Sequence, residues 1–187
     1  YSDEWVKEAE KRGLKNIKTA PEALDAFLEP KAVKMFVDHG VYNERELHAR
    51  HEIMLETYAK RIQIESRSIY DLALNQVVPA ALKYQSMLID NVKGQKEIGI
   101  EAKFYQETID IIKEISRHVA VVIEKTEAML EARKKANDVE DARQKAVDYC
   151  HKIKGAYFDE IRYHVDKLEL LVGDEYWPLP KYRELLF

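Results

Sequence analysis

The chain has few of the residues that crosslink, bend or interrupt a polypeptide. It contains one cysteine, Cys150, so no internal disulfide can form; this fits a reducing compartment and predicts a cytoplasmic protein. Zinc sites made of several cysteines are excluded for the same reason. With only 6 glycines and 5 prolines among 187 residues, few turns are available, which favours a small number of long helices.

A strong charge and a long apolar run are also missing. The net charge of -4 gives no overall attraction for nucleic acid or for an anionic membrane surface. The most apolar uncharged run, residues 72–82, has about half of the ~20 residues that a bilayer-spanning helix needs. We therefore expect a soluble protein with no nucleic-acid partner and no membrane partner.

The residues that are present, 46% hydrophobic and 34% charged, suit amphipathic helices around a core. The longest apolar stripe lies within residues 43–93, where steps of three and four, or sums of such steps, connect Leu55, Tyr58, Ile62, Ile69, Leu72, Val77, Ala80, Tyr84, Met87 and Leu88. A helix of about 50 residues is roughly 75 Å long. A compact domain of this size does not need that length, so the pattern predicts that part of the helix contacts something outside its own domain.

Asn43, followed by acidic residues, is predicted to cap this helix at its positive end. Pro79 lies inside the helix and removes one backbone hydrogen bond, yet the apolar rhythm resumes on its far side. We therefore predict one continuous helix that is kinked near residues 75–79. Gly94 and Gly99 are predicted to bracket the turn that follows.

Two more long helices are predicted. The second covers residues 100–136, and its stripe consists of Phe104, Thr108, Ile111, Ile115, Val119, Val122, Thr126, Met129 and Arg133. The third begins at Asn137 or Asp138, passes through Gly155 and ends at Gly173. The prediction is an all-α fold, an antiparallel bundle of three long helices, with short N-terminal helices packed at one end.

The short helices ahead of the bundle are predicted from local signals. Trp5 and Ala9 are expected on the buried face of the first one. Thr19 and Glu22 have the spacing of a capping box. A further short helix is predicted over residues 32–39.

His48 and His51 are candidate metal ligands because their spacing, followed by Glu52, places them on one helix face. Two ligands on one helix are an incomplete set, so we favour a solvated or interface pair over a metal site. A di-iron oxidase needs two Glu-x-x-His motifs that face the core, and only Asp148 with His151 comes near that pattern. The sequence therefore predicts no metal site and no catalytic residue.

His118 and Glu65 are single polar residues within apolar stripes. A lone histidine on a bundle can accept a phosphoryl group, but a structural histidine between Ile115 and Val122 is favoured. Glu65, if buried, would need an Arg or Tyr partner, which favours a register-fixing contact over a catalytic acid. No Gly-rich phosphate loop, nucleophile elbow or zinc-protease motif is present.

The C-terminal segment EYWPLPKYRELLF is stiff and strongly apolar. Such a segment does not stay in water. It either docks along its own bundle, which we favour, or inserts into a neighbouring domain or subunit. The candidate assembly contacts are Trp177, Pro178, Leu179, Pro180 and Phe187.

Three segments carry a family resemblance: TAPEALDAFL with MFVDHGVYNERELHARHEIMLETYAKRIQIE, then VVPAALKYQ, then the closing DKLELLVGDEYWPLPKYRELLF. They resemble the C-terminal region of type III glutamine synthetase, the large bacterial form. The resemblance implies that the chain is a piece of a longer ligase that uses ATP and Mg²⁺ or Mn²⁺. Such an enzyme activates glutamate as an acyl phosphate, which ammonia displaces. The family's catalytic motifs do not occur in this chain, so no cofactor is predicted for it.

The resemblance also implies a division of the chain. Residues 1–42 resemble the end of the catalytic domain, and residues 43–187 resemble a C-terminal helical-bundle domain with a docked tail. The resemblance implies that the longer ligase forms stacked rings, with a dodecamer as the expected homo-oligomer. The expected partners of this chain are therefore the catalytic domain of the same ligase and the neighbouring subunits. We favour a non-catalytic domain that supports assembly of the ligase. The alternative is a free-standing helical protein-interaction module without enzyme activity.

Overall fold

The computed structural model describes residues 2–185, and every regular element in that range is helical. This confirms the predicted all-α class. The α-helices are α1 (Asp3–Lys11), α2 (Ala20–Asp25), α3 (Pro30–Asp38), α4 (Glu44–Leu72), α5 (Val78–Glu97), α6 (Gln106–Asn137), α7 (Ala142–Asp148) and α8 (Asp159–Leu171). No helix within the described range has a stretch apolar and long enough to cross a bilayer.

Helices α4 and α5 form one continuous rod, the first long helix, because a π-helical turn at Ala73–Val77 joins them. Asn43 caps the rod with a complete capping box: its Oδ1 accepts from the Glu46 backbone N–H at 2.9 Å, and the Glu46 carboxylate accepts from the Asn43 N–H at 2.9 Å. Pro79 lies in the first turn of α5. The helix therefore continues past the proline as predicted, and the irregularity is a wider turn just before it.

The second long helix, α6, runs antiparallel to the first. Gln63 of α4 donates to Asn137 at the end of α6 (2.7 Å), whereas Gln85 of α5 donates to the Ile112 carbonyl (2.9 Å) and to Ser116 (2.6 Å) near its beginning. The chain then turns back into the third long helix, in which α7, a π-helical segment Tyr149–Phe158 and α8 follow without a break. Passage of this helix through Gly155 is confirmed.

The core consists of two apolar clusters along the bundle. The cluster at the α5 end, called the tail-side cluster below, contains Ala73, Val77, Val78, Ala81, Ile115, Val119, Val122, Leu168, Val172 and Trp177. The other contains Ala59, Ile62, Met129, Ala136, Tyr149, Ile153 and Ile161. The stripes predicted for the first two long helices supply Ile62, Val77, Ile115, Val119, Val122 and Met129, because the steps of three and four select the faces that meet.

Several predicted boundaries and stripe positions are wrong. Helix α6 begins at Gln106, because a 3₁₀ turn at Ala102–Phe104 precedes it. Phe104, predicted inside the stripe, is 65% exposed. The third helix begins at Ala142, where the Asp141 carboxylate accepts from the Gln144 N–H at 2.6 Å. This N-cap was missed because the helical rhythm extends across the turn that precedes it.

Two glycines predicted as a pair behave differently. Gly94 lies inside α5, so it does not bracket the turn. Gly99 has a φ of +81°, a backbone conformation that favours glycine, and it ends the rod. Of the two glycines, only Gly99 therefore marks the end of a helix.

The short N-terminal helices pack at one end of the bundle, as predicted: α2, α3 and the 3₁₀ turn Ala26–Leu28 contact α4. Two details differ. No residue of α1 is buried, and Trp5 is 47% exposed rather than packed. Thr19 precedes α2 but its side chain makes no capping bond, and its hydroxyl is buried without a partner in the described chain. The predicted capping box at Thr19 is therefore wrong.

Candidate interaction surfaces and titratable clusters

An ionic cluster joins the N-terminal segment to two of the long helices. Asp25, at the end of α2, accepts from the Arg143 guanidinium through both carboxylate oxygens, with distances of 2.7 to 3.1 Å. His51 of α4 lies 3.2 Å from the same carboxylate. The hydrogen bond from Arg143 lowers the pKa of Asp25, burial opposes this shift, and His51 adds to the lowering. The carboxylate is the common partner of both side chains.

This cluster separates the two histidines that the sequence placed together. His51 is buried against Asp25, while His48 is exposed. No group of three or more His, Cys, Asp or Glu side chains in the described part of the chain is arranged to hold a metal ion. The near-motif Asp148 with His151 is also divided: Asp148 accepts from Gln144 and Lys152, and His151 is exposed.

A second cluster is a pair of imidazoles between α6 and α8. The Nδ1 atoms of His118 and His164 are 2.7 Å apart, and the ring centroids are 5.0 Å apart with a 52° interplanar angle. His118 is only 4% exposed, so the sequence-based expectation of a structural histidine understated its burial. Its Nε2 lies 3.5 Å from the Glu114 carboxylate. The pair is therefore a specific polar contact inside the bundle.

The pKa of His118 is lowered, first by burial and then by the positive charge that His164 carries when protonated. Arg117 lowers the pKa of His118 further, Glu114 opposes the shift, and Lys167 adds to the lowering. The neutral ring is therefore the form that the folded chain favours.

Tyr58 and Cys150 make a smaller polar contact between α4 and the third helix. Burial raises the pKa of Tyr58, and the hydrogen bond with Cys150 raises it further. The charge of Glu65 contributes in the same direction. Glu65 itself is exposed, so the buried register-fixing contact considered for it does not form.

The C-terminal tail lies on its own bundle as far as Leu185, the last described residue. Trp177 is 8% exposed within the tail-side cluster, and Leu179 is half-buried beside it. Pro178 and Pro180 point outward and are exposed. Of the five predicted assembly contacts, Phe187 lies outside the described residues.

Polar contacts fasten the tail. Lys181 donates to the Val172 carbonyl at 2.8 Å and forms an ion pair with Asp174 at 2.8 Å. The Tyr182 N–H donates to Glu169 at 2.8 Å, and Arg162 donates to the Tyr182 hydroxyl. These contacts hold the backbone of the tail against α8. Whether its outward side chains serve in assembly stays a prediction.

The N-terminal helices leave much of their apolar surface uncovered. An open groove of about 610 Å³ lies at the beginning of α4, lined by Phe27, Tyr42, Leu47, Ile53 and Met54 among others. Beside it, Phe27 stacks on Phe36 with a centroid distance of 6.3 Å. Arg50 covers the Tyr42 ring at 4.4 Å. Groove and aromatic residues together form an apolar surface at the end of the bundle.

Comparison with known proteins agrees with the resemblance. Residues 1–96 match a family model described as glutamine synthetase C-terminal domain. The whole chain aligns at 43% identity with a glutamine synthetase of Bacteroides fragilis (strain YCH46) and at 29% with one of Butyrivibrio fibrisolvens. It aligns at 30% identity with a type-3 glutamine synthetase of Dictyostelium discoideum.

In each case the alignment covers 100% of this chain but only 26% of the relative, so the chain spans about a quarter of the length of these proteins. The family model covers the N-terminal helices and the first long helix. The remaining helices and the tail match through the relatives alone. On these findings the chain belongs to the glutamine synthetase family, as the C-terminal domain of its type III form.

Proposed function

We propose that this chain is a non-catalytic helical domain that supports the catalytic part of a type III glutamine synthetase and helps its subunits assemble. The parent would be a cytoplasmic ligase that makes glutamine from glutamate and ammonia with ATP and Mg²⁺ or Mn²⁺. The support is the family match together with the length of the relatives, whose remaining three quarters this chain does not cover.

One observation carries the proposal: the N-terminal helices are amphipathic but have almost nothing to pack against. Neither α1 nor α3, each of nine residues, buries a single residue in the described chain. Isolated helices this short are unstable in water, so they need tertiary contacts on their apolar side. The exposed apolar side chains of this region, the N-terminal apolar group, are Trp5, Leu14, Ile17, Phe27, Met35, Val37, Val41 and Ile53.

We assign the occupant of this surface to the catalytic part of the same enzyme. Residues 1–42 would then be the end of the catalytic domain, and residues 43–187 would be the helical domain that it rests on. The ionic cluster of Asp25 with His51 and Arg143 lies across this boundary and would fix the orientation of one part on the other. Exposed apolar patches of this kind mark protein contacts.

The nucleotide and the divalent metal are assigned to the rest of the ligase. Within residues 2–185, no group of three or more His, Cys, Asp or Glu side chains is placed to hold a metal ion, which supports this assignment.

Assembly contacts are proposed for the tail. Because Trp177 is turned into its own bundle, it would anchor the segment, and the exposed Pro178 and Pro180 would face a neighbouring subunit. Leu185 is 68% exposed and extends the same apolar strip. The expected assembly is a homo-oligomer, with a dodecamer as the specific form.

The deciding experiment places a charge in the N-terminal apolar group of the full-length ligase. Met35→Asp should abolish most of the hydroxamate formed from glutamate, ATP and hydroxylamine, because a carboxylate cannot be buried unpaired at a domain contact. Ile98→Asp is the matched control, since Ile98 is exposed at the opposite end of the first long helix. Equal activity and equal oligomer size for the two variants would contradict the proposal.

Two further measurements separate docking from folding and from catalysis. In the 187-residue chain by itself, Met35→Asp should leave the melting temperature nearly unchanged, because Met35 is exposed there. The same chain should form no hydroxamate. Activity in this chain alone would show that it carries chemistry, and a stop codon directly upstream of Tyr1 in the gene would favour a free-standing interaction module.

A further inference from the structure

We infer that the His118–His164 pair is a proton-sensitive brace between α6 and α8, which loosens the tail-side cluster and the anchored tail when the surroundings turn acidic. The inference is independent of the proposed function. It depends on three observations: the geometry of the two rings, the groups that surround them, and their position beside the residues that hold Trp177.

The ring geometry limits how many protons the pair can hold. Two nitrogen atoms 2.7 Å apart can share one proton, with one Nδ1 donating and the other accepting. This arrangement exists when both rings are neutral and also when one ring is protonated. Once both are protonated, two N–H groups face each other and two positive charges lie on rings whose centroids are 5.0 Å apart. The contact must then open.

The surroundings do not compensate for a second positive charge. From its own helix, His118 meets Glu114 at 3.5 Å, but Glu114 is already paired with Arg117 at 2.6 Å. From α8, the neighbouring groups are Lys167, which is cationic, and Tyr163, whose ring meets His164 edge-on at 5.2 Å. Arg117 and Lys167 therefore act on His118 against the single carboxylate of Glu114, and the nearby Glu160 of α8 is already paired with Lys125 of α6 at 3.2 Å.

The other elements packed nearby contribute no carboxylate that titrates in the same range. From the first long helix, the buried polar side chain on this side is Gln85, a non-titrating amide that donates to the Ile112 carbonyl and to Ser116. Tyr84 of the same helix packs on Tyr176 of the tail. In the tail, Asp174 pairs with Lys181 and Arg183. Among the groups around the pair, the imidazoles are the side chains whose ordinary pKa lies between neutral pH and about pH 5.5.

The position of the pair gives this loosening a local consequence. His118 lies between Ile115 and Val122 of α6, and both belong to the tail-side cluster. His164 precedes Leu168 by one turn on α8, and Leu168 belongs to the cluster that buries Trp177. Separation of the two rings therefore acts on the packing that holds the tail.

The sign of the pH dependence follows from the lowered pKa of His118. Because the unfolded ring has a pKa near 6.5 and the folded ring a lower one, the unfolded chain binds more protons in between. The stability that depends on the neutral ring is complete above pH 6.5 and is lost as the pH falls through the folded pKa. Between the two pKa values, each pH unit of acidification raises the unfolding equilibrium constant about tenfold.

Trp177 can report the loosening directly because the chain has only 2 tryptophans. In a Trp5→Phe background, the fluorescence of Trp177 should shift to longer wavelength between about pH 7.5 and about pH 5.5, as water reaches the ring. Adding His164→Asn should remove at least about half of this shift, since an amide keeps a donor and an acceptor but does not titrate. Adding His48→Asn instead should leave the shift unchanged, because His48 is exposed.

A second measurement needs no variant at the pair. In a two-dimensional proton–nitrogen spectrum of the wild-type imidazoles, His118 should titrate below the ordinary imidazole pKa of 6.5. A His118 midpoint at or above 6.5 would overturn the inference, and so would a Trp177 shift that is the same with and without His164→Asn. A delayed His118 titration together with a reduced shift would establish the brace.

Discussion

Arg143 forms a double hydrogen bond with Asp25, a residue 118 positions earlier in the chain. The two groups meet because α2 and α7 both pack against α4 and contact each other. Arg143 donates from Nε to Oδ1 and from Nη2 to Oδ2, which is the fork geometry that matches a carboxylate. This contact ties the N-terminal segment to the third long helix, and His51 ties the same carboxylate to the first.

Arg143→Ala should destabilise the chain by about 1 kcal/mol, because the pair is partly exposed and solvent screens its attraction. Urea unfolding at neutral pH measures the change. Asp25→Asn should cost somewhat more, since it also weakens the contact with His51. The double variant should cost little more than Asp25→Asn alone, since both substitutions remove the contact between Asp25 and Arg143. Additive losses would show that the two residues act separately.

The same contact predicts a pH dependence at the acid end. Because Arg143 lowers the pKa of Asp25 below its ordinary value of 3.8, this contribution is complete above pH 3.8. It is lost as the pH falls further, through the folded pKa. Arg143→Ala should therefore flatten the stability profile below pH 3.8 and leave the profile near neutrality parallel to that of the wild type.

Asn43→Ala should cost about 1 kcal/mol, because it removes the side-chain acceptor of a complete capping box. Thr19→Val is the matched control at the N-cap of α2, where the hydroxyl makes no capping bond and is buried without a partner in the described range. That substitution should be neutral or slightly stabilising in the same urea experiment. Equal losses for the two variants would contradict the assignment of the caps.

Gly94→Ala should stabilise the chain by about 0.5 to 1 kcal/mol, because alanine favours the helical backbone and open space surrounds the new Cβ. Gly155→Ala should gain less, since its Cβ would lie 3.2 Å from the Cys150 carbonyl oxygen inside the π-helical segment. Thermal melting of both variants measures the difference. A larger gain at Gly155 would argue against the π-helical backbone there.

Trp177→Ala should destabilise the chain by about 3 kcal/mol, because it removes a large side chain from the tail-side cluster. Trp177→Phe should cost less than half as much, because phenylalanine fills part of the space. Loss of the indole N–H should cost nothing further, because the Nε1 of Trp177 finds no acceptor among residues 2–185. Pro178→Ala, at an exposed neighbour, should be nearly neutral in this chain.

A separate prediction concerns the assembly contact proposed for Pro178. If the outward side of the tail contacts another subunit, Pro178→Ala should reduce oligomer size in the full-length ligase without lowering the stability of this domain. Size-exclusion chromatography of the full-length variant makes the comparison. An unchanged oligomer would remove Pro178 from the assembly contacts.

Local patterns in the sequence determined the helices of this protein. The stripe through Leu55, Ile62 and Val77 predicts a helix that continues beyond Pro79, since each apolar step depends only on the 3.6-residue turn. The cap at Asn43 is likewise a matter of four neighbouring residues. The family was visible in the same way, because the matching segments are continuous in the chain.

Tertiary structure alone decided which polar residues meet. His51 was expected to form a solvated or interface pair with His48, and nothing near it in the chain pointed to Asp25. His118 and His164 are 46 residues apart, and their contact depends on the relative height of two helices. Helical periodicity fixes which side of a rod faces inward. The axial offset between two helices is fixed only by the packing of the whole bundle. That offset decides which polar side chains on neighbouring helices come into contact.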